Sequence, residues 1–415
     1  MTWPQPRVVV TGMGVLAANG VGVDAFWDTV SRGVSGIGPI TLFDASAFKV
    51  HVAGEVKDFH LLQYLNGGIK PKRYGRHTQF SLVAAKMAVE QAGLELEAFD
   101  RKRPLPVAMG VSTSAMEVIE SNEDRLRDRG PESVSPYGVS SCQPHATALA
   151  VAELLGRSAQ PITASSACPA GLDALAIGFE LIRSGKHDVV VAGGADAPVT
   201  PLAMASFSLA GLAPDFEIPP SRCSRPFDLH RRGGIIAEGA VVMVLENLAH
   251  ALARGAEPLV EILGYAANGD DAGTESGAGL YDTMALAMAN AGLRHDDIDY
   301  ISAHGPSHPV IDRVETREIK RLFGTKARTI PVSSIKGVVG NPLAAAGPMQ
   351  VMATALGMRH GLVPPTANYE VPDPACDLDY VPNQGYAVSF DTALVNVHGL
   401  GGGNTTMALA KVVSA

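Results

Sequence analysis

Pro161-Ile162-Thr163-Ala164-Ser165-Ser166-Ala167-Cys168-Pro169-Ala170-Gly171 is the stretch on which the reading of this chain turns. Pro161 to Ala164 has the character of a short strand. After Gly171 the apolar residues Leu172, Leu175, Ala176 and Phe179 recur at helical spacing. Pro169 then falls at the first helical position, where proline is favoured because its missing N–H has no partner there in any case. Cys168 rides on a strand-to-helix turn, at a helix N-terminus. There the helix dipole and the free backbone N–H groups favour thiolate over thiol. A fold presents a nucleophile in this way. Cysteine is also often a small buried side chain with no chemistry, so Cys168 gains weight only from partners elsewhere in the chain.

The chain has 415 residues, 46% hydrophobic and 18% charged, as in a soluble globular enzyme with two or three domains' worth of structure. The net charge of −9 argues against nucleic acid or an anionic membrane surface as a partner. Cys142, Cys168, Cys223 and Cys376 show no CxxC spacing. That fits a reducing compartment and disfavours disulfides and a metal site. Met1-Thr2-Trp3-Pro4-Gln5-Pro6 has no signal-peptide pattern, and no apolar run is long enough to span a bilayer, so the expected location is cytoplasmic.

Short apolar strands alternate with amphipathic helices, which predicts α/β layers. Arg7 to Thr11 reads as a buried strand, Thr78 to Ala92 as a helix stopped by Gly93, and Asp188 to Ala192 as a strand ending in Gly193-Gly194. Ala92-Gly93-Leu94 is echoed by Ala291-Gly292-Leu293, and Val189 to Gly194 by Val395 to Gly402. These echoes predict two similar halves, 1–255 and 256–415. Arg125 to Pro136 and Val363 to Gln384 read as exposed loops. Gly12-Met13-Gly14-Val15-Leu16-Ala17 matches a dinucleotide-binding fingerprint. It is discounted because Ala17-Ala18-Asn19-Gly20 turns the chain where a helix should begin. It and Gly399 to Asn404 are expected to be tight backbone turns.

Three further segments place polar residues just past a strand or at a helix start. They are Tyr300-Ile301-Ser302-Ala303-His304-Gly305, Val332-Ser333-Ser334-Ile335-Lys336-Gly337 and Gly340-Asn341-Pro342-Leu343-Ala344-Ala345-Ala346-Gly347. Each alone has a plain structural explanation: a satisfied histidine, a surface lysine, a helix cap. With Cys168, they resemble a β-ketoacyl-acyl-carrier-protein synthase of the type II, elongating kind. The resemblance runs from Arg7 to Met407. It includes Val9-Val10-Thr11-Gly12-Met13-Gly14, Val191-Ala192-Gly193-Gly194-Ala195-Asp196, Ser224-Arg225-Pro226-Phe227-Asp228, Pro364-Pro365-Thr366-Ala367-Asn368 and Cys376-Asp377-Leu378-Asp379-Tyr380-Val381-Pro382.

The resemblance implies the thiolase fold, with duplicated α/β halves in a five-layered α-β-α-β-α sandwich. It implies that Cys168 takes an acyl chain from the phosphopantetheine thioester of an acyl carrier protein, with no cofactor of its own. His304 corresponds to the histidine that stabilises the enolate of the decarboxylating malonyl unit, and Lys336 to the structural and electrostatic lysine. The N–H groups of Cys168 and Leu400 correspond to the oxyanion hole.

The chain also departs from the family. Asn341 stands in place of a second histidine; it donates a hydrogen bond but carries no proton. Pro306 and His308 replace two threonines that bind the pantetheine arm. Gln350 replaces a glutamate that pairs with the lysine, which leaves Lys336 freer and its charge less compensated. Gly234, His398 and Leu400 replace three aromatics of the pocket, which enlarges it and adds a titratable group at His398. Lys70, Lys72, Arg73 and Arg76 offer a basic patch to a carrier protein, whereas Pro214-Asp215-Phe216-Glu217 would repel one.

The expected activity is that of a ketosynthase-like acyltransferase of natural-product assembly. It forms a C–C bond either by decarboxylative condensation or by intramolecular aldol or lactone-forming cyclisation. The alternative is a non-catalytic chain-length-factor-type partner, which the intact Cys168 disfavours. A homodimer is expected, or a heterodimer with a second ketosynthase-like subunit.

Overall fold

Val8–Ala17 (β1) is buried along its whole length, as a strand covered on both faces must be. It continues as one strand through Gly12 and Gly14, with an irregularity in its pairing between Val10 and Gly12, so no turn forms there. Those glycines serve close approach instead. Helix Arg76–Ala92 (α1) lies directly on them, and a Cβ at Gly12 or Gly14 would stand 2.1 Å from the carbonyl oxygen of Ala88 or Ala84. Gly93, with φ 58°, closes the helix as its sequence predicts.

The computed structural model describes residues 5–65, 68–99, 102, 104–156, 159–215 and 217–413. Met1 to Pro4 and Phe216 of the Pro214–Glu217 stretch lie outside them. Beside β1 the main sheet holds Leu105–Gly110 (β2), Ala159–Ala164 (β3), Val189–Asp196 (β4), Gly239–Asn247 (β5) and Val260–Gly269 (β6). It continues with Tyr300–Ser302 (β7), Val332–Ser333 (β8), Thr392–His398 (β9) and Gly403–Ala410 (β10). Their spatial order is β8-β7-β9-β10-β6-β1-β5-β4-β2-β3. From each outer edge to the centre the five strands run third, second, fourth, fifth, first in chain order. The two halves meet where β1 pairs antiparallel with β6.

Helices His145–Leu155 (α2), Ala170–Arg183 (α3), Leu280–Ala291 (α4), Pro309–Phe323 (α5) and Ala346–His360 (α6) complete the layers. Helices α3 and α6 pack on each other and on β4 and β9, and form the middle layer. Every residue of α6 from Ala346 to Met358 is buried. A helix sandwiched between sheets has no polar face, which is why this segment is rich in alanine and methionine. By contrast α5 is amphipathic, with Val314, Ile319, Leu322 and Phe323 inward and Arg313, Arg317 and Arg321 exposed.

Three further sequence expectations need correction. The strand expected to end at Gly193-Gly194 continues through them to Asp196. Arg125 to Arg129 belongs to an exposed helix, Met116–Arg129, whose polar surface gives no apolar stripe to read. Val363 to Ala367 is irregular but buried rather than exposed. Gly399 to Asn404 does turn, as the β9–β10 hairpin with Gly401 and Gly402 at positive φ. No helix among the described residues is long and apolar enough to cross a membrane.

Candidate active site

Five residues link the end of β3 at Ala164 to the start of α3 at Ala170. Ala167 takes φ +61°, a left-handed conformation rare for a residue with a Cβ, and this sharpens the turn that carries Cys168. Pro169 stands one position before the helix rather than inside it, and its carbonyl accepts from the Asp173 N–H at 2.9 Å. Gly399 lies against this turn; a Cβ there would meet Pro169 Cδ at 2.5 Å. The approach brings the Leu400 backbone N–H onto the Cys168 sulfur, alongside the N–H of Cys168 itself.

These donors do not make a thiolate. Burial pushes the Cys168 thiol up to about 11, with the Asp196 charge adding to the rise, while Lys336 and the two N–H groups pull it down less strongly. The N–H groups do pull the thiol toward thiolate, as the sequence reading expects, but Cys168 is only 5% exposed and desolvation outweighs them.

His304 follows β7 and is buried. Its backbone N–H and that of Gly305 donate to the two carboxylate oxygens of Glu315, each at 2.8 Å. Its carbonyl accepts from Lys336 Nζ. Its Nδ1 is buried without a hydrogen-bond partner among the described residues. Burial, then the Lys336 charge, holds the imidazole well below its usual pKa, so the ring is neutral. Lys336, which follows β8, is buried rather than on the surface, and it is not free. It also reaches Gln350 Oε1 at 3.4 Å, and Gln350 Nε2 is tied to the Ala303 carbonyl at 2.8 Å. Burial pushes Lys336 down to about 8, against the raising effect of Glu315.

Asn341 does not cap a helix. Its backbone N–H donates to Ile235 O at 2.7 Å, and its carbonyl accepts from the Ala237 N–H at 3.1 Å. Its Oδ1 is buried without a partner among the described residues, so the amide oxygen is left uncommitted.

A cavity of about 340 Å³ gathers Cys168, His304, Asn341, His398 and Leu400. Gly234, Pro306 and His308 border it too, whereas Lys336 and Gln350 stand behind His304 and do not. A Cβ on Gly234 would stand 3.1 Å from the Pro306 carbonyl, so any larger side chain there intrudes. His308 is partly committed elsewhere: its Nδ1 accepts from Val310 N at 3.2 Å and caps α5. The His398 ring packs edge-on to His304, centroids 5.9 Å apart.

Residues 5–251 match the model of the β-ketoacyl synthase N-terminal domain, and residues 259–370 that of its C-terminal domain. The chain belongs to the β-ketoacyl synthase family. This synthase is 37% identical over 411 residues to a 3-oxoacyl-[acyl-carrier-protein] synthase 2 from Synechocystis sp., covering 98% of both chains. It superposes on the ishigamide ketosynthase/chain length factor with a TM-score of 0.92 at 32% identity, over 99% of this chain and 100% of that one. A second solved structure holds a type II PKS acyl-carrier protein in complex with its ketosynthase bound to the hexaketide. Against it the TM-score is 0.89 at 34% identity, over 99% and 100% of the chains. The fold is the thiolase fold, and the synthase is a ketosynthase of the type II polyketide and fatty-acid kind.

Sequence reasoning missed three groups in or behind the synthase's site. Glu315 is one; the signal was the spacing of Asp312, Glu315, Ile319 and Leu322, which puts carboxylates on the buried stripe of α5. Asp196 is another, holding the N–H groups of Thr113 at 2.8 Å and Ala344 at 2.9 Å beside the turn that carries Cys168. Ser276 is the third, on a loop whose pattern says only that it turns.

Proposed function

We propose that this synthase loads an acyl chain from a carrier-protein thioester onto Cys168 and extends it by decarboxylative Claisen condensation in polyketide or related natural-product assembly. The meeting of Cys168, His304 and Asn341 around one cavity supports this most directly. A malonyl thioester loses CO₂, and its enolate carbon attacks the acyl carbonyl. The C–S bond to Cys168 breaks, and the thiolate leaves to be protonated. Neutral His304 and the amide of Asn341 serve as hydrogen-bond donors to the enolate oxygen. The N–H groups of Cys168 and Leu400 serve the acyl oxyanion; each such donor contributes about 3 kcal/mol. Lys336 acts through His304, as a buried charge behind it. No resident cofactor enters these steps, since the substrate arrives on phosphopantetheine.

The proposed setting is cytoplasmic, with an acyl carrier protein as partner and a homodimer or ketosynthase-like heterodimer as assembly. The halves 1–255 and 256–415 contribute the nucleophile and the His/Lys/Asn set respectively. Lys70, Lys72 and Arg73 are exposed for a carrier protein. Arg76 leaves that patch, because it is bound to Glu238 at 2.7 Å and to the Val56 carbonyl. A second reading, intramolecular closure of the Cys168-bound chain by aldol or lactone-forming attack, is favoured by the imidazole of His398 in the same cavity. A chain-length-factor role is disfavoured by the donors aimed at Cys168.

The test is to give the acyl-loaded protein a malonyl-carrier thioester. A β-ketoacyl product extended by the malonyl unit's two retained carbons, with CO₂ released in step with turnover, supports condensation. Turnover of the loaded chain without CO₂ release supports closure and overturns condensation.

A further inference from the structure

The cavity that holds Cys168 also holds a hydroxyl with a base already on it. Ser276 Oγ lies 2.6 Å from His398 Nε2, and His398 Nδ1 lies 2.9 Å from Asn404 Oδ1. The Asn404 amide nitrogen donates to Asp270 Oδ1 at 2.8 Å, to Gly402 O at 3.0 Å and to Asn268 Oδ1 at 3.1 Å. Those three acceptors fix the amide so that its oxygen faces the histidine. An acceptor at Nδ1 places the ring proton there, which leaves the Nε2 lone pair to receive the serine proton. Asp270 Oδ2 stands 4.0 Å from Nδ1, close enough to favour the positive ring that proton transfer creates. Asp270 in turn accepts from the N–H groups of Gly277 and Gly279 at 2.8 Å each, so the loop bearing Ser276 is tied to the carboxylate. A nucleophile on a base that is oriented by a third group is the arrangement of an activated serine.

We propose that Ser276, His398 and Asn404 form a second acyl-transfer relay, in which Ser276 takes an acyl group from a thioester in the cavity and holds it as an ester. The Ser276 oxygen adds to the thioester carbonyl while its proton passes to His398 Nε2. The C–S bond then breaks, and that proton goes to the departing thiolate. One C–O bond replaces one C–S bond, and nothing is oxidised or reduced. The same base then serves the reverse duty, delivering the ester to water or to a substrate hydroxyl. The relay does not depend on acylation of Cys168, because an incoming thioester suffices.

The test uses the full-length Cys168→Ala protein, so that this thiol does not compete. Native protein is treated with a short-chain alkyl fluorophosphonate and, separately, with an acyl N-acetylcysteamine thioester, and the modified peptide is mapped by mass spectrometry. Both reagents are expected to label Ser276. Labelling is lost when Ser276→Ala, a change at an exposed loop position, is added, and slows about 100-fold with His398→Gln. Heat-denatured protein is expected to stay unlabelled. A native Cys168→Ala protein in which neither reagent modifies Ser276 overturns the proposal without any further variant. Equal labelling rates with and without the His398→Gln change also overturn it. Neither result touches acylation of Cys168 in the unmodified chain, which is read separately.

Discussion

The two halves of this synthase run their strands in the same order, yet the equivalent connections do opposite things. In the N-terminal half, five residues (165–169) join the third strand to the middle-layer helix. In the C-terminal half the same connection is twelve residues (334–345). The short one is forced through a left-handed Ala167 and presents a thiol at the sheet's end. The long one has room to bury Lys336 behind His304 and to bring Asn341 up to the cavity wall. The fourth strands differ in kind as well. β4 ends in Asp196, whose carboxylate is committed to backbone N–H groups and a threonine hydroxyl. β9 ends in His398, whose ring bonds to two side chains in and beside the cavity. Duplicated topology fixes where strand ends converge; connection length and the last residue of each strand decide what chemistry arrives there.

Breaking the C-terminal support of His304 is the harshest test of that asymmetry. Glu315→Ala would strand the N–H groups of His304 and Gly305 and remove the carboxylate that supports the charge of Lys336. A loss of about 3–5 kcal/mol in unfolding free energy is expected in denaturant melts, with Glu315→Gln losing distinctly less. Asn341→Ala leaves the fold alone, because its backbone carries the structural hydrogen bonds. It should lower kcat about 100-fold in product-formation assays while acyl loading of Cys168 proceeds at the usual rate.

On the Cys168 side, Gly399→Ala drives a methyl into Pro169 and pushes Leu400 off the sulfur. Slower acylation, by about tenfold, is the expected readout, with Tm little changed. The smallest effect is in pH. A thiol near 11 is mostly protonated at neutrality, so its thiolate fraction rises about tenfold per pH unit. Iodoacetamide alkylation of Cys168 should therefore climb from about pH 7 to about pH 9 without a plateau. Charged Lys336 lowers that thiol, so Lys336→Met raises it and slows alkylation near the lower end of this range, an effect that fades as Lys336 loses its proton at about 8. A plateau below about pH 8 would contradict the burial argument.

The candidate site positions were legible because each follows the end of a strand: Cys168 after β3, His304 after β7, Lys336 after β8. What was illegible has physical reasons. Gly12 and Gly14 look the same in sequence whether they serve a turn or a helix laid on a strand, and only α1 decides between them. The thiol's protonation depends on burial, which local residues do not record. Gln350 in place of a glutamate suggests a freer Lys336, yet the amide oxygen still accepts from the lysine. Glu315, which supports the lysine's charge, sits on a different element and is brought near it only by tertiary packing. Ser276 lies on a loop without periodicity, and its meeting with His398 spans 122 residues.

Intact-protein mass after incubation with a panel of acyl and malonyl thioesters, wild type beside Cys168→Ala, tests the central claim most directly. The account predicts an acyl adduct that maps to Cys168 and leaves the His304, Lys336 and Asn341 peptides unmodified. An adduct of equal yield on Cys142, Cys223 or Cys376, or a wild-type protein that stays unmodified by its carrier-bound acyl donors, would contradict it.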